Sequence, residues 1–417
     1  MDYSQDIAHN KQNIVDYGTY FPSMLHSYAF SNFQSFRDRV DVDLTLTRKV
    51  ALTDWMVDLP EGRVSKVLAV IGPNGGGKTA LLKPMAFLGW FASQSFAQAA
   101  DARIPVIPHF ARKTDPTEFE CLLDFDGSRW RYVMRCTEEK VLHEALYQKG
   151  ERFRYVFVRD WDPQAERYRV KQQDFGLAPQ EARKVRRNVS LIAWAAQFDV
   201  PLARRMAAPY VVTNINVLGR VPMGDAAVIE AAQHFLLRPE QRASMSTLLS
   251  AWDLGLADVD LREMSAGNSL DPAQKIWVPY GRHRSGDALF DLPFAFESSG
   301  TQAAFVLLAR VLEALAMGGL AVIDELENDL HPHMVEPILS LFANPLTNRL
   351  GAQILFTCHS PEVLTLLTKA QAMVVEKDEE CESHAIRLDK VAGIRGDDNL
   401  YAKYMAGAYG GVPRFDG

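Results

Sequence analysis

One eight-residue run limits what this chain can fold into more than any other feature. It is Gly72-Pro73-Asn74-Gly75-Gly76-Gly77-Lys78-Thr79, set directly behind the apolar run Val67–Ile71. The run fits G-x-x-x-x-G-K-[ST] throughout. Glycine lets successive backbone N–H groups turn inward around an anion, because no Cβ stands in the way. A helix starting near Lys78 adds the positive end of its dipole. Gly72, Asn74, Gly75, Gly76, Gly77, Lys78 and Thr79 are therefore the candidate nucleotide-binding residues. Lys78 neutralises β- and γ-phosphate charge and the Thr79 hydroxyl ligates Mg²⁺, so the implied cofactors are ATP and Mg²⁺. A chance glycine turn is the alternative, and the strand before and helix after weigh against it.

The rest of the chain arranges itself around that loop. Residues 1–23 are a polar lead-in. Residues 24–46 partly alternate and read as a strand, a turn near 32–37 and a second strand. Residues 78–99 read as the helix that the loop opens. Two alternating runs within 117–136 are split by Asp126-Gly127, a hairpin signal, and strand-like pieces follow at 141–147 and 153–158. From about residue 179 to 261 the pattern is helical and in places basic. Residues 276–296 return to strand character, and a helix follows Gly300. Then come the apolar strand "GLAVID", a helix from about Pro332, the strand "AQILFTC", "HSPEVLTLL" as turn and helix, and two edge strands, "AMVVEKD" and "HAIRLDKV". No repeat or sustained heptad is present. The layout predicts a split α/β core. An N-terminal extension covers 1–23 and an N-lobe with the loop covers 24–114. A hairpin and largely helical insertion covers 115–275, and a C-lobe covers 276–417.

Three further segments carry chemistry. In "LAVIDELENDLHP", an apolar strand delivers Asp324 and Glu325 at its carboxyl end. Beside a phosphate loop, Asp324 can hold Mg²⁺ directly or through water, and Glu325 can orient or deprotonate the attacking water. The alternative is an acidic turn after a buried strand. Ser298, Gly300 and Thr301 lie in "ESSGTQA" at the start of a long apolar helix. They suit an N-cap and also a second phosphate-binding surface. His359, in "ILFTCHSPEVL", follows another apolar strand; a lone histidine there is most often structural.

Composition narrows the class. No apolar run approaches the roughly 20 residues that span a bilayer, and the polar N-terminus is neither a signal nor a transit segment. Four scattered cysteines without CxxC argue against a zinc site or a disulfide framework and fit a reducing cytoplasm. A net charge of −7 gives no global pull toward nucleic acid. DNA contact would need a local basic patch, for which "EARKVRRN" with Arg204 and Arg205 is the candidate; a solvated helical face is the alternative.

Taken in chain order, GPNGGGKT, SSGT, VIDELENDLHP and TCHSP resemble the ABC-type ATPase heads of the SMC-like and OLD-like group. "SNFQSF" resembles that group's N-terminal strand and turn. The resemblance implies a P-loop ABC-type head with an inserted lid or effector region, and two ATP molecules sandwiched in a head-to-tail dimer. It implies that Ser298, Gly300 and Thr301 touch the γ-phosphate in trans. Residues 328–331 would be the dimer-contact loop, and His359 the γ-phosphate-sensing switch histidine, catalytic beside Glu325.

A closer likeness spans most of residues 24–417. "NFQSFRD", "GPNGGGKTALLKPMAFL", "PTEFE", "ESSGTQA", "VIDELENDLHPHMV", "FTCHSPEVL" and "DDNLYAKYMAGAYGGVPRF" resemble compact bacterial ATPases of the AbiL/RloA and PARIS AriA kind. Those are phage-defence ATPases paired with an effector encoded beside them, often a Toprim-type nuclease. The chain also departs from the wider group. Its helical region is too short for an SMC arm, and it has no CxxC hook. No clear glutamine serves the loop between the lobes, because Gln94 and Gln98 sit too close to the P-loop helix. The stretch after His359 is too short for an OLD nuclease domain, and "VVEKDEE" reads as a solvated hairpin end.

These readings give a slow ATPase acting as sensor or scaffold of an anti-phage, abortive-infection system. ATP drives a dimer or larger homo-oligomer, which controls a separately encoded effector such as a Toprim-type nuclease in response to a phage trigger. The alternative is a DNA-engaging ATPase of recombination or repair type. A transporter ATPase is disfavoured by the long insert, and no membrane partner is expected.

Overall fold

The computed structural model describes residues 23–252, 254–265, 275–395 and 398–411. All of the expected N-terminal extension except Ser23 lies outside the described residues. β1 (Met24–Ser31) turns through residues 32–37 into the antiparallel β2 (Val40–Asp43). The short strands β3 (Thr45–Leu46), β4 (Met56–Leu59) and β5 (Gly62–Ser65) form a small sheet. β6 (Val67–Ile71) then leads through the glycine loop into α1 (Lys78–Gln94).

Five antiparallel strands follow: β7 (Thr117–Phe125), β8 (Ser128–Cys136), β9 (Val141–Lys149), β10 (Phe153–Asp162) and β11 (Arg167–Gln172). Asp126 and Gly127, at φ 52° and 70°, make the β7–β8 turn that the Asp-Gly pair predicts. These strands join β1 and β2 in one sheet, in the order β11-β10-β9-β8-β7-β1-β2. Residues on both sides of position 115 therefore share a hydrogen-bonded sheet.

The segment read as helical holds α2 (Pro179–Ala182), α3 (Leu191–Ala196), α4 (Pro201–Met206), α5 (Asp225–Leu236) and α6 (Pro239–Ala251). It also holds two strands that the helical reading missed, β12 (Val211–Thr213) and β13 (Leu256–Ser265). β12 is three residues long and takes its form from pairing in parallel with a strand far along the chain; such a run has no period of its own. β13 forms a meander with β14 (Lys275–Ser285) and β15 (Ala288–Pro293), and a register shift near its start breaks its alternation.

The C-terminal part runs α7 (Ser299–Met317), β16 (Leu320–Ile323), α8 (Val335–Ala343), β17 (Gln353–Thr357), β18 (Ala372–Lys377), β19 (Ser383–Arg387) and α9 (Leu400–Met405). The helix expected after His359 is a 3₁₀ turn at Pro361–Thr365.

The central sheet has the order β12-β16-β17-β6-β18-β19, parallel except for β19. β18 lies between β6 and β19, so it is interior, in contrast to the edge position expected. Its buried run Ala372–Val375 is what a strand covered on both faces requires. β6 shows how the sheet divides the interior. Val67, Ala69 and Ile71 enter one apolar core with α5–α8, while Leu68 and Val70 enter another with α1 and the seven-stranded sheet. α7 is 19 residues long with mean hydropathy 1.4, enough by that measure alone to cross a bilayer, yet 67% of that stretch is buried by protein. Its apolarity is that of a core helix. The α/β class expected from the sequence is the architecture observed.

Candidate functional site

The glycine loop closes over the carboxyl end of the central sheet, where β6 gives way to α1. Its backbone requires glycine at two places. Gly72 has φ 150°, and a Cβ there would lie 2.1 Å from the Val375 carbonyl of β18. Gly77 has φ 112° and precedes α1; a Cβ there would lie 2.5 Å from Ser383 Oγ of β19. The loop is thus braced from the C-terminal half of the chain. Ser383 Oγ donates to the Gly76 carbonyl (2.8 Å) and accepts from the Ser35 hydroxyl (2.7 Å), and Ser383 N donates to the Ser35 carbonyl (2.7 Å). Ser35 belongs to the "SNFQSF" turn, so that turn, the β18–β19 hairpin and the loop form one unit. Asn74 and Gly75 remain exposed at the tip.

Lys78 is buried, and Nζ donates to the carbonyls of Gly72 (2.9 Å) and Pro73 (3.1 Å). Burial pushes its pKa below the ordinary 10.5, while Asp324, Glu325 and Glu327 pull it back. An ammonium resting on the loop's own carbonyls has weak partners that a phosphate can displace.

Thr79 Oγ1 lies 3.0 Å from both carboxylate oxygens of Asp324, and Thr357 Oγ1 donates to Asp324 Oδ1 at 2.8 Å. Burial raises the Asp324 carboxyl above its ordinary 3.8, partly offset by the two threonine hydroxyls. A buried carboxylate beside a hydroxyl is a hard-oxygen donor set that suits Mg²⁺. The glycine cradle and this donor set together fit a magnesium nucleotide.

Glu325 adopts φ 52°, a left-handed conformation uncommon for glutamate. Its N–H donates to Thr357 Oγ1 (2.6 Å), and its carbonyl accepts from Asn328 N (3.0 Å). Its carboxylate is held on both oxygens, by Arg220 Nη1 at 2.6 Å on Oε2 and by His359 Nε2 at 3.1 Å on Oε1. The structure brings together the loop, Asp324, Glu325 and His359 as the sequence order suggested.

Ser298, Gly300 and Thr301 are not part of that cluster. Among the described residues no hydrogen bond or ion pair joins them to residues 72–79. Ser298 caps α7 by accepting from Thr301 N (3.1 Å). Thr301 is buried with its hydroxyl 2.8 Å from Ser298 Oγ, whereas Ser298 and Ser299 face solvent. A Cβ on Gly300 would lie 3.0 Å from the Asp329 carbonyl, so this turn packs on the 328–331 loop. Phe296 beside it is 74% exposed.

Two residues escaped sequence reasoning. Asn214, just past β12, accepts from Asp324 N and donates to the Asp324 carbonyl, both at 2.8 Å. Arg220 reaches Glu325 from the turn that follows. The only signal was "YVVTN", a short β-branched run ending in an amide within a stretch that otherwise reads as helical.

Within the basic stretch Arg186 is bound into the structure, whereas Arg204 and Arg205 make exposed ion pairs and Arg183 and Arg187 are exposed. Arg186 donates to the carbonyls of Gln98 (2.7 Å) and Phe96, Arg204 pairs with Asp199, and Arg205 pairs with Asp126 at 3.0 Å.

Comparison with known proteins adds the following. Residues 67–365 match the family described as "AAA domain, putative AbiEii toxin, Type IV TA system". No curated protein matches the sequence. Among solved structures, the SmcHead bound to the C-winged helix domain of ScpA aligns at 12% identity, over 89% of this chain and 100% of that chain, with a TM-score of 0.45. The recombination mediator protein RecF with ATP aligns at 9% identity, over 89% and 99%, with a TM-score of 0.36.

Proposed function

Since the chain belongs to the AAA-domain family whose description names the AbiEii toxin of type IV toxin–antitoxin systems, we propose that it is an ATP-hydrolysing switch. In this reading it acts as sensor or scaffold of an anti-phage system and controls a separately encoded effector, such as a Toprim-type nuclease. The observation that carries the ATPase part is the meeting of Thr79 with Asp324 across 245 residues of sequence, with Glu325 next along the chain.

Bound Mg²⁺ would supply charge neutralisation on the β- and γ-phosphates. Thr79 and Asp324 would hold it. The loop amides and Lys78 bind the phosphates, Lys78 exchanging the Gly72 and Pro73 carbonyls for them. Glu325 orients a water and takes its proton. His359 holds one oxygen of that carboxylate and follows the γ-phosphate. The exposed Ser298 and Ser299, with Phe296 beside them, support a role for the α7 N-terminus in a second subunit's site. A head-to-tail dimer would cover this surface and complete each ATP site in trans. The family's toxin–antitoxin description supports a role in a paired system of two gene products.

The test is ATP turnover and mass of the full-length chain purified together with its neighbouring gene product. Lys78→Ala loses nucleotide binding. Glu325→Gln keeps ATP, loses about 10²–10⁴-fold in turnover and accumulates as an ATP-dependent dimer or larger assembly carrying the partner. Equal turnover in Glu325→Gln and wild type removes Glu325 as the base. A mass unchanged by ATP removes the assembly step.

A further inference from the structure

The turn after Asn214 is a compact hairpin aimed at the acidic pair. Ile215 and Arg220 form an antiparallel bridge, Asn216 N donates to the Gly219 carbonyl (2.8 Å), and Val221 N donates to the Asn214 carbonyl (2.8 Å). The Asn216 side chain accepts from Leu218 N (2.8 Å) and Gly219 N (3.1 Å), which fixes the tip. Lys83 Nζ, on α1, donates to the Leu218 carbonyl (3.2 Å). The tip residue Leu218 is itself 87% exposed. One short segment thus grips the Asp324 backbone at its base, ties to the P-loop helix at its tip, and places Arg220 on Glu325.

Glu325 is the residue that must turn its carboxylate to a water. Its two oxygens are instead bound sideways by Arg220 and His359, on a backbone held at φ 52°. A carboxylate clamped between two donors keeps an orientation that serves the clamp. Resting on the ATPase reading above, we propose that Arg220 is a positioning residue that latches Glu325 in a resting orientation. Hydrolysis then requires the 215–220 hairpin to release it. Each partner side chain is 31% exposed, so the ion pair is partly screened and easily exchanged. A latch of this strength sets a basal rate without blocking activation.

The experiment measures steady-state ATP turnover, ATP affinity and thermal melting of the full-length chain with Mg²⁺. Arg220→Ala is expected to raise kcat about two- to fivefold, the range a partly exposed ion pair can hold back. ATP affinity and melting temperature should stay as in wild type. Arg220→Lys retains a cation at the hairpin and should stay near the wild-type rate. If Arg220→Ala does not fold, Arg220→Met keeps the stem without the charge. Turnover in the folded variant at or below wild type, while Glu325→Gln is inactive, overturns the latch alone. Turnover in Glu325→Gln equal to wild type overturns the assignment of the base, and the latch with it.

Discussion

Thr79 and Asp324 stand 245 residues apart in sequence, and the Thr79 hydroxyl lies 3.0 Å from both oxygens of the Asp324 carboxylate. β6 and β17 pair in parallel, as do β17 and β16, so the ends of β6 and β16 lie on the same edge of the sheet. Asp324→Asn should therefore weaken ATP binding in Mg²⁺ much more than ATP binding in EDTA. Calorimetric titrations in the two buffers check this. An equal loss in both would place Asp324 outside the metal shell.

The same carboxylate sets a pH dependence. Burial holds the folded-state pKa of Asp324 above 3.8. Between 3.8 and that raised value the folded chain keeps a proton that the unfolded chain has released. The Asp324 contribution to nucleotide-free stability therefore falls as pH rises across this window and is level above it. Metal requires the ionised form, so the stabilisation by Mg²⁺-ATP should grow with pH over the same window and fade below it. Melting curves from about pH 4 to 7, with and without Mg²⁺-ATP, should show this in wild type and not in Asp324→Asn.

Gly77→Ala tests the brace behind the loop. The new methyl meets Ser383 Oγ at a backbone angle that alanine resists. Loss of ATP binding is expected, with a stability loss of about 1–3 kcal/mol. The double variant Gly77→Ala, Ser383→Gly removes the clash but not the φ penalty, and should recover part of the stability. No recovery would show that Ser383 is not the obstacle.

If ATP sites are shared between subunits, two inactive variants should complement. Lys78→Ala disables one side of the site and Ser298→Arg the other. In a mixed head-to-tail dimer one site carries both defects and one carries neither. Random pairing then returns roughly a quarter of wild-type turnover. Full turnover in Ser298→Arg by itself would argue that each chain hydrolyses ATP alone.

A separate prediction concerns stability. Glu144 and Arg159 are fully buried and paired at 3.2 Å. Glu144 also accepts from Tyr132 OH (2.8 Å), Ser190 Oγ (2.8 Å) and Leu191 N (2.9 Å), which ties the seven-stranded sheet to α3. Glu144→Ala strands the Arg159 charge and should cost about 3–5 kcal/mol. Denaturant unfolding checks this. Replacing both residues by apolar ones of like volume should cost much less.

The sequence by itself determined the phosphate loop, because its glycines, Lys78 and Thr79 act through a local backbone path that eight consecutive residues specify. It also determined the Asp-Gly hairpin, the capped start of α7, and Asp324 and Glu325 at the end of an apolar strand, each a pattern complete within a short window. Tertiary structure decided what those pieces touch. Ser383 lies 307 residues from the Gly76 carbonyl it supports, and Asn214 lies 110 residues from the Asp324 backbone it grips. β12, which ends just before Asn214, is a strand only because β16 pairs with it, and Arg220 reaches Glu325 only because β12 ends there. Cross-sheet neighbours leave no periodic trace in the chain, since parallel pairing is set by strands that other segments separate.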